Sequence, residues 1–133
     1  MSDPDPSGAS PGLRGGAPLD LRPGLEEFDA RRYWEAHEVW EESWQVLRGL
    51  GREGEREFLQ SLILVAAALH RAVTSGSRVG GRLNLEKAER HARLAPESLG
   101  GVNLPVVLEA ARAAIETGEK MPPLLASGGG RTV

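Results

Sequence analysis

Residues 58–73 read FLQSLILVAAALHRAV. At about 100° per residue, Phe58, Leu59, Val65, Ala66, Leu69 and Val73 fall within about 60° of Leu62 on a helical wheel. Leu64 and Ala67 fall on the far side. A helix apolar nearly all round belongs at the centre of a core, wrapped by other helices. Its longest apolar run, LILVAAAL, is far shorter than the ~20 residues that span a bilayer, so no membrane partner is expected. The stretch predicts an all-α protein, a compact bundle around a central helix over 53–74.

Working outward, four main helices are expected. One begins after Asp29 as N-cap and runs to Leu47, stopped by Gly49 and Gly51. The central helix ends at Ser75–Gly76. A third begins near Arg78 and ends before Pro96, because the residue preceding proline is pushed out of the α region. A fourth is capped by Asn103, with proline two residues on, and ends at Gly118. A short turn at Pro23 to Phe28 precedes them. The third helix carries a small-residue stripe of Gly81, Leu85, Ala88, Ala92 and Ala95; the fourth carries Leu104, Leu108, Ala111 and Ile115. Short connections favour antiparallel neighbours. No strand alternation and no internal repeat is found. Residues 1–24 are rich in proline, glycine, serine and aspartate and read as a flexible extension, 25–120 as the helical domain, and 121–133 as a tail.

The net charge is −3, and the arginines alternate with glutamates. No basic stripe is present, so a nucleic-acid partner is not expected. There is no cysteine, which removes disulfides, thiolate metal sites and cysteine nucleophiles; any metal would need nitrogen and oxygen ligands. The amino terminus lacks a basic patch followed by an apolar run, and a cytoplasmic location is expected.

All three tryptophans fall in YWEAHEVWEESW, residues 33–44. With His37 at 0°, Glu41 lies near about 40°, Trp44 near −20°, Trp34 near 60°, Trp40 near −60° and Tyr33 near −40°. These six share one face, expected to be the buried one. Arg32, Glu35 and Glu42 lie opposite, and Glu38 stands at the edge. A buried unpaired carboxylate costs several kcal/mol, roughly, so Glu41 needs a reason.

Two readings stay open. In one, the His37–Glu41 pair locks the packing of helices in a structural or protein-interaction module. In the other, the pair lines a metal- or small-molecule-binding site between the first two main helices, with hydrolysis as one chemistry it supports. Side chains at i and i+4 on one helical face reach a single divalent metal ion. His37 and Glu41 are then the first metal donors, with His70 and Glu38 as further donors. Glu41 is also the candidate catalytic base. Trp44 would wall the site, and Gln60 and Arg71 would orient a ligand. His91 reads as a residue of the solvated face. TSGSRVGG, residues 74–81, has the glycines of a phosphate loop but follows a helix and lacks the Gly-Lys-Ser/Thr ending.

YWEAHEVWEESW resembles the hallmark of a bacterial and archaeal family, Domain of Unknown Function 309. Its His-x-x-x-Glu-x-x-Trp/Tyr pattern maps onto His37, Glu41 and Trp44. The resemblance continues through FLQSLILVAAALHRAV and SRVGGRLNLEKAERHARL and covers about residues 25–120. It implies an all-α fold and a motif for which metal binding has been suggested; it implies no activity. This chain departs from the family at Gly80–Gly81, where members often carry Gly-Ala. It also lacks the glycine often found shortly before the aromatic pair.

Overall fold

The computed structural model describes residues 19–125; residues 1–18 and 126–133, the bulk of the expected extension and tail, lie outside the described residues. Five α-helices follow in order: α1 (Arg22–Asp29), α2 (Tyr33–Leu47), α3 (Glu53–Leu69), α4 (Arg78–Ala92) and α5 (Leu104–Thr117). Helix α3 continues into a π-helical turn, His70–Thr74. The all-α bundle is as the sequence predicts, and the turn at Pro23–Phe28 proves to be a two-turn helix.

Helix α3 is the centre. Phe58, Leu59, Leu62, Val65, Ala66, Ala68 and Leu69 are fully buried, and α2, α4 and α5 all pack on α3. The stretch Glu53–Thr74 is long and apolar enough to cross a membrane, but half of it is buried in the bundle, and its apolarity is accounted for by that core. Ser61, also fully buried, donates from Oγ to the carbonyl oxygen of Ala88 at 2.8 Å. This satisfies the hydroxyl and pins α4 to α3. Gly81 lets the two helices approach: a Cβ there would lie 2.8 Å from Ala72 Cβ and 3.0 Å from the Ala68 carbonyl oxygen.

Three expectations need correction. Val73 is 58 % exposed, not part of the central stripe. The π turn carries an extra residue, with Ser75 N–H donating to His70 O at 2.9 Å, so the wheel loses phase there. Asp29 ends α1 rather than capping α2. Its carboxylate accepts from the backbone N–H groups of Leu124 at 2.7 Å and Leu125 at 2.8 Å, fastening the chain beyond α5. The packed core accordingly reaches Leu21 at one end and Met121 and Leu124 at the other. Finally, a two-residue antiparallel hairpin joins Ser98–Leu99 to Val102–Asn103. Gly100 and Gly101 turn it with positive φ, 58° and 82°, as a primed turn requires.

The outer faces are tied by ion pairs. Arg82 donates twice to Glu116, at 2.6 and 2.7 Å, joining α4 to α5. Arg112 pairs with Glu89 across the same two helices. The Arg82 hydrogen bonds, with its charge, hold the Glu116 carboxyl below its ordinary 4.5. A carboxyl lowered in the folded state contributes stability that is present above its ordinary pKa and is lost as pH falls through the lowered value. The melting temperature of Glu116→Gln should therefore lie below that of wild type at neutral pH, and the gap should close in acid. A gap unchanged between pH values above and below 4.5 contradicts this.

Candidate functional site

Helix α2 buries Tyr33, Ala36, Trp40 and Leu47. That strip is centred about 70° from His37 on the wheel, so the aromatic face is rotated from where the sequence puts it. The reason is packing. Large indoles pull a wheel toward Trp34 and Trp44, but Ala36 is fully buried while Trp34 stays 44 % exposed, and α1 packs on Tyr33 and Trp40. Phe28 meets Tyr33 edge-on at 5.1 Å and Trp40 at 5.9 Å. Trp40 Nε1 donates to Leu21 O at 3.3 Å. Trp40 is thus a core residue and not a wall of the site.

His37, Glu41, Trp34 and Trp44 then form the rim of α2 beside α3. The His37 side chain is 19 % exposed and that of Glu41 48 % exposed, with Nε2 and Oε1 3.5 Å apart. Glu41 is therefore a rim carboxylate and escapes most of the cost of burial. His37 Nδ1 is buried and has no hydrogen-bond partner among the described residues. The His37 ring stacks on Trp34, centroids 4.5 Å apart and planes 11° apart. Trp34 remains 44 % exposed. His70, from the π turn, meets the same indole at 5.2 Å and 44°. Two imidazoles from different helices thus pack on one tryptophan.

Toward the other end, the Arg56 guanidinium lies 4.9 Å from the Trp44 ring centroid and Arg48 5.7 Å from it. Arg56 Nε is a second buried nitrogen without a partner among the described residues. An open cleft of about 420 Å³ lies beside Trp34 and His70, lined also by Arg31, Tyr33 and Thr74. The open volume is therefore one turn before the His37–Glu41 pair.

The other sequence candidates disperse. Gln60 is half-buried on α3, and no hydrogen bond among the described residues joins it to His37 or Glu41. Glu38 is exposed, and no hydrogen bond or ion pair among the described residues joins its side chain to His37 or Glu41. The Arg71 guanidinium lies over Gly80 of α4, within 2.9 Å of where a Cβ would stand, away from α2. His91 is not merely solvated: its Nδ1 lies 2.6 Å from Glu57 Oε1, linking α4 to α3. Arg56 was missed. Its signal is the antiparallel hairpin of α2 and α3, which pairs residues equidistant from the turn near about residue 50.

The metal version can be tested against these donors. Among the described residues no group of three or more His, Cys, Asp or Glu side chains is placed to hold an ion. Catalytic zinc sites take three protein ligands and structural sites four. A metal-ligating histidine also donates its second ring nitrogen to an acceptor, and His37 Nδ1 has none. The donor set does not fit a resident metal centre.

Comparison with known proteins agrees with the fold. The family described as Domain of unknown function (DUF309) matches residues 21–83. The chain is also similar to the crystal structure of a conserved hypothetical protein from Thermus thermophilus. The two share 37 % identity with a TM-score of 0.62, over 74 % of this chain and 98 % of that one. No curated protein matches the chain.

Proposed function

The chain belongs to the Domain of unknown function (DUF309) family, and from that premise we propose that the α2–α3 rim is a small-molecule-binding site. Its entrance is the cleft at Trp34 and His70; its polar groups are His37 and Glu41; Trp44 closes the far end. The observation that carries this is the pair of imidazoles packed on a half-exposed indole beside open volume. A volume of about 420 Å³ is within the range of ligand pockets. A flat ligand stacks on Trp34 and offers a hydrogen-bond donor to Glu41, which has no arginine or lysine partner among the described residues. In a hydrolytic version, Glu41 takes the proton of an attacking water. A cytoplasmic location belongs to the same reading.

Energetics favour this over a packing lock. An exposed i,i+4 pair is worth about 0.3–0.5 kcal/mol, and both partners stand on α2, so the pair does not bridge two helices. A buried polar nitrogen left unpaired costs about 1–3 kcal/mol. On stability alone His37 is a net loss. His37→Leu should therefore raise stability by about 1 kcal/mol, or Tm by roughly 3–5 °C for a domain of this size; Glu41→Gln should be close to neutral. A loss of that size in both variants would make the pair structural and end the proposal. In equilibrium dialysis against a bacterial metabolite extract, a compound retained by wild type should be lost by Glu41→Gln and by Trp34→Ala. Identical retention by all three counts against it. Tight, saturable zinc binding abolished by His37→Ala and Glu41→Ala would replace the small molecule with a metal.

A further inference from the structure

We propose that a second cleft, of about 660 Å³, binds a small molecule through a phosphate group. It lies between the start of α2, the π turn, the start of α4 and the chain after α5. It shares Arg31, Tyr33 and Thr74 with the cleft at Trp34, but the His37–Glu41 pair takes no part in it, and Arg78 and Lys120 line this cleft and not that one, so variants at those two residues test it separately.

Three cations line this cleft: Arg31, Arg78 and Lys120. The contrast with other arginines matters. Arg32, Arg52, Arg82 and Arg112 each meet a glutamate. Arg31, Arg78 and Lys120 form no ion pair among the described residues. One carboxylate, Glu119, lines the cavity with them. Glu116 feels the charge of Arg78 but is engaged by Arg82 in two hydrogen bonds. In a chain of net charge −3, three such cations around one concavity make a local excess of positive potential, which a concave low-dielectric wall concentrates.

The backbone supports the same assignment. Arg31 has φ of 67° and occupies the left-handed position that ends α1. Its N–H donates to Phe28 O, and that of Arg32 to Glu27 O. This is the Schellman pattern, in which glycine is the usual residue. An arginine there costs about 1–2 kcal/mol in backbone strain. Its side chain is then held rigidly: one guanidinium nitrogen donates to Met121 O at 2.9 Å and to the Tyr33 hydroxyl at 3.3 Å. The other nitrogens are left for a ligand. Across the cleft, Ser77 caps α4, accepting from Gly80 N–H at 3.0 Å. The first-turn N–H groups of α4 and the positive end of its dipole add to the field of Arg78. Ala72, Val73, Ile115 and Met121 give an apolar floor. The cavity is much larger than a phosphate ion, so the floor takes the organic part of the ligand.

Pyrophosphate and inorganic phosphate serve as probes, titrated into the full chain at low salt and followed by amide chemical shifts. Saturable shifts are expected at Thr74, Gly76, Arg78 and Lys120, with pyrophosphate the tighter ligand. Arg78→Glu and Lys120→Glu should each weaken pyrophosphate about tenfold, since charge-assisted contacts are lost and repulsion gained. Lys87→Glu, the same charge change on the exposed face of α4, should leave affinity within about twofold. Both cleft residues are exposed, so the variants keep the fold, as circular dichroism would verify. The proposal is overturned by an absence of saturable shifts, by shifts centred elsewhere, or by an equal weakening in Lys87→Glu.

Discussion

Trp40→Ala is expected to destabilise the protein by about 3–5 kcal/mol, the range for deleting a buried large aromatic side chain. Total stability of such a domain is about 5–15 kcal/mol, so the variant approaches unfolding at physiological temperature. Trp40 is fully buried and, with Tyr33, holds α1 on α2 through Phe28. Its ring lies against Phe28, and a Cβ on Gly24 would stand only 2.0 Å from its Nε1. Truncation leaves a cavity that α1 cannot fill without losing its other contacts, and it removes one of the two donors to the Leu21 carbonyl, which keeps the N–H of Leu25. Trp40→Phe keeps much of the volume and should retain more than half of the lost stability. Urea unfolding of both variants checks this. A loss below about 1 kcal/mol for Trp40→Ala would mean that α1 is not held by this ring.

Gly81→Val is expected to cost about 3 kcal/mol, although Gly81 sits inside a helix where glycine is a poor choice. Two effects oppose each other. Replacing a helical glycine gains at most about 1 kcal/mol of propensity, and less for a β-branched residue. Against that, a Cβ meets Ala72 Cβ at 2.8 Å and the Ala68 carbonyl oxygen at 3.0 Å. Neither can swing aside, since one is a methyl on the backbone and the other is backbone, so α4 must move off α3 and strain the Ser61 hydrogen bond. The adjacent glycine is the control. A Cβ on Gly80 meets the Arg71 guanidinium at 2.6 Å, the free end of a long side chain that can rotate away. Gly80→Ala should be neutral or stabilising by up to about 1 kcal/mol. If thermal melts show the two glycines responding alike, the close approach of α3 and α4 at Gly81 is not the reason for that residue.

The candidate site was legible in part. The spacing of His37, Glu41 and Trp44 correctly groups them on one strip of α2, because one helix's internal geometry follows from sequence separation alone. The tilt of that strip against α3 did not follow. It depends on Phe28, a side chain from another helix that packs on Tyr33 and Trp40, and a wheel holds no information about it. For the same reason Arg56 over Trp44 and Glu57 against His91 carry no local signature. Asp29, at a helix boundary, satisfies the sequence pattern of an N-cap. In the folded chain its carboxylate instead meets the N–H groups of Leu124 and Leu125, some 95 residues away. The hairpin at Gly100–Gly101 had a readable glycine pair, but strands of two residues offer no alternation to confirm it.

What could be had from the chain of letters is the set of quantities that depend on near neighbours: the apolar girth of Phe58 to Leu69, the stops at Gly49, Gly51 and Gly118, the cap at Asn103, and hence an all-α bundle with its central member named. These are settled by backbone geometry and by burial of whole faces, which a period of about 3.6 residues encodes. Which cations share a cavity, which imidazoles reach Trp34, and which of two adjacent glycines is indispensable were fixed by the packing of separate helices. The π turn adds to this, since a single extra residue moves Val73 out of the core and turns His70 toward α2. Such relations arise from distances between groups far apart in the chain, and no local periodicity carries them.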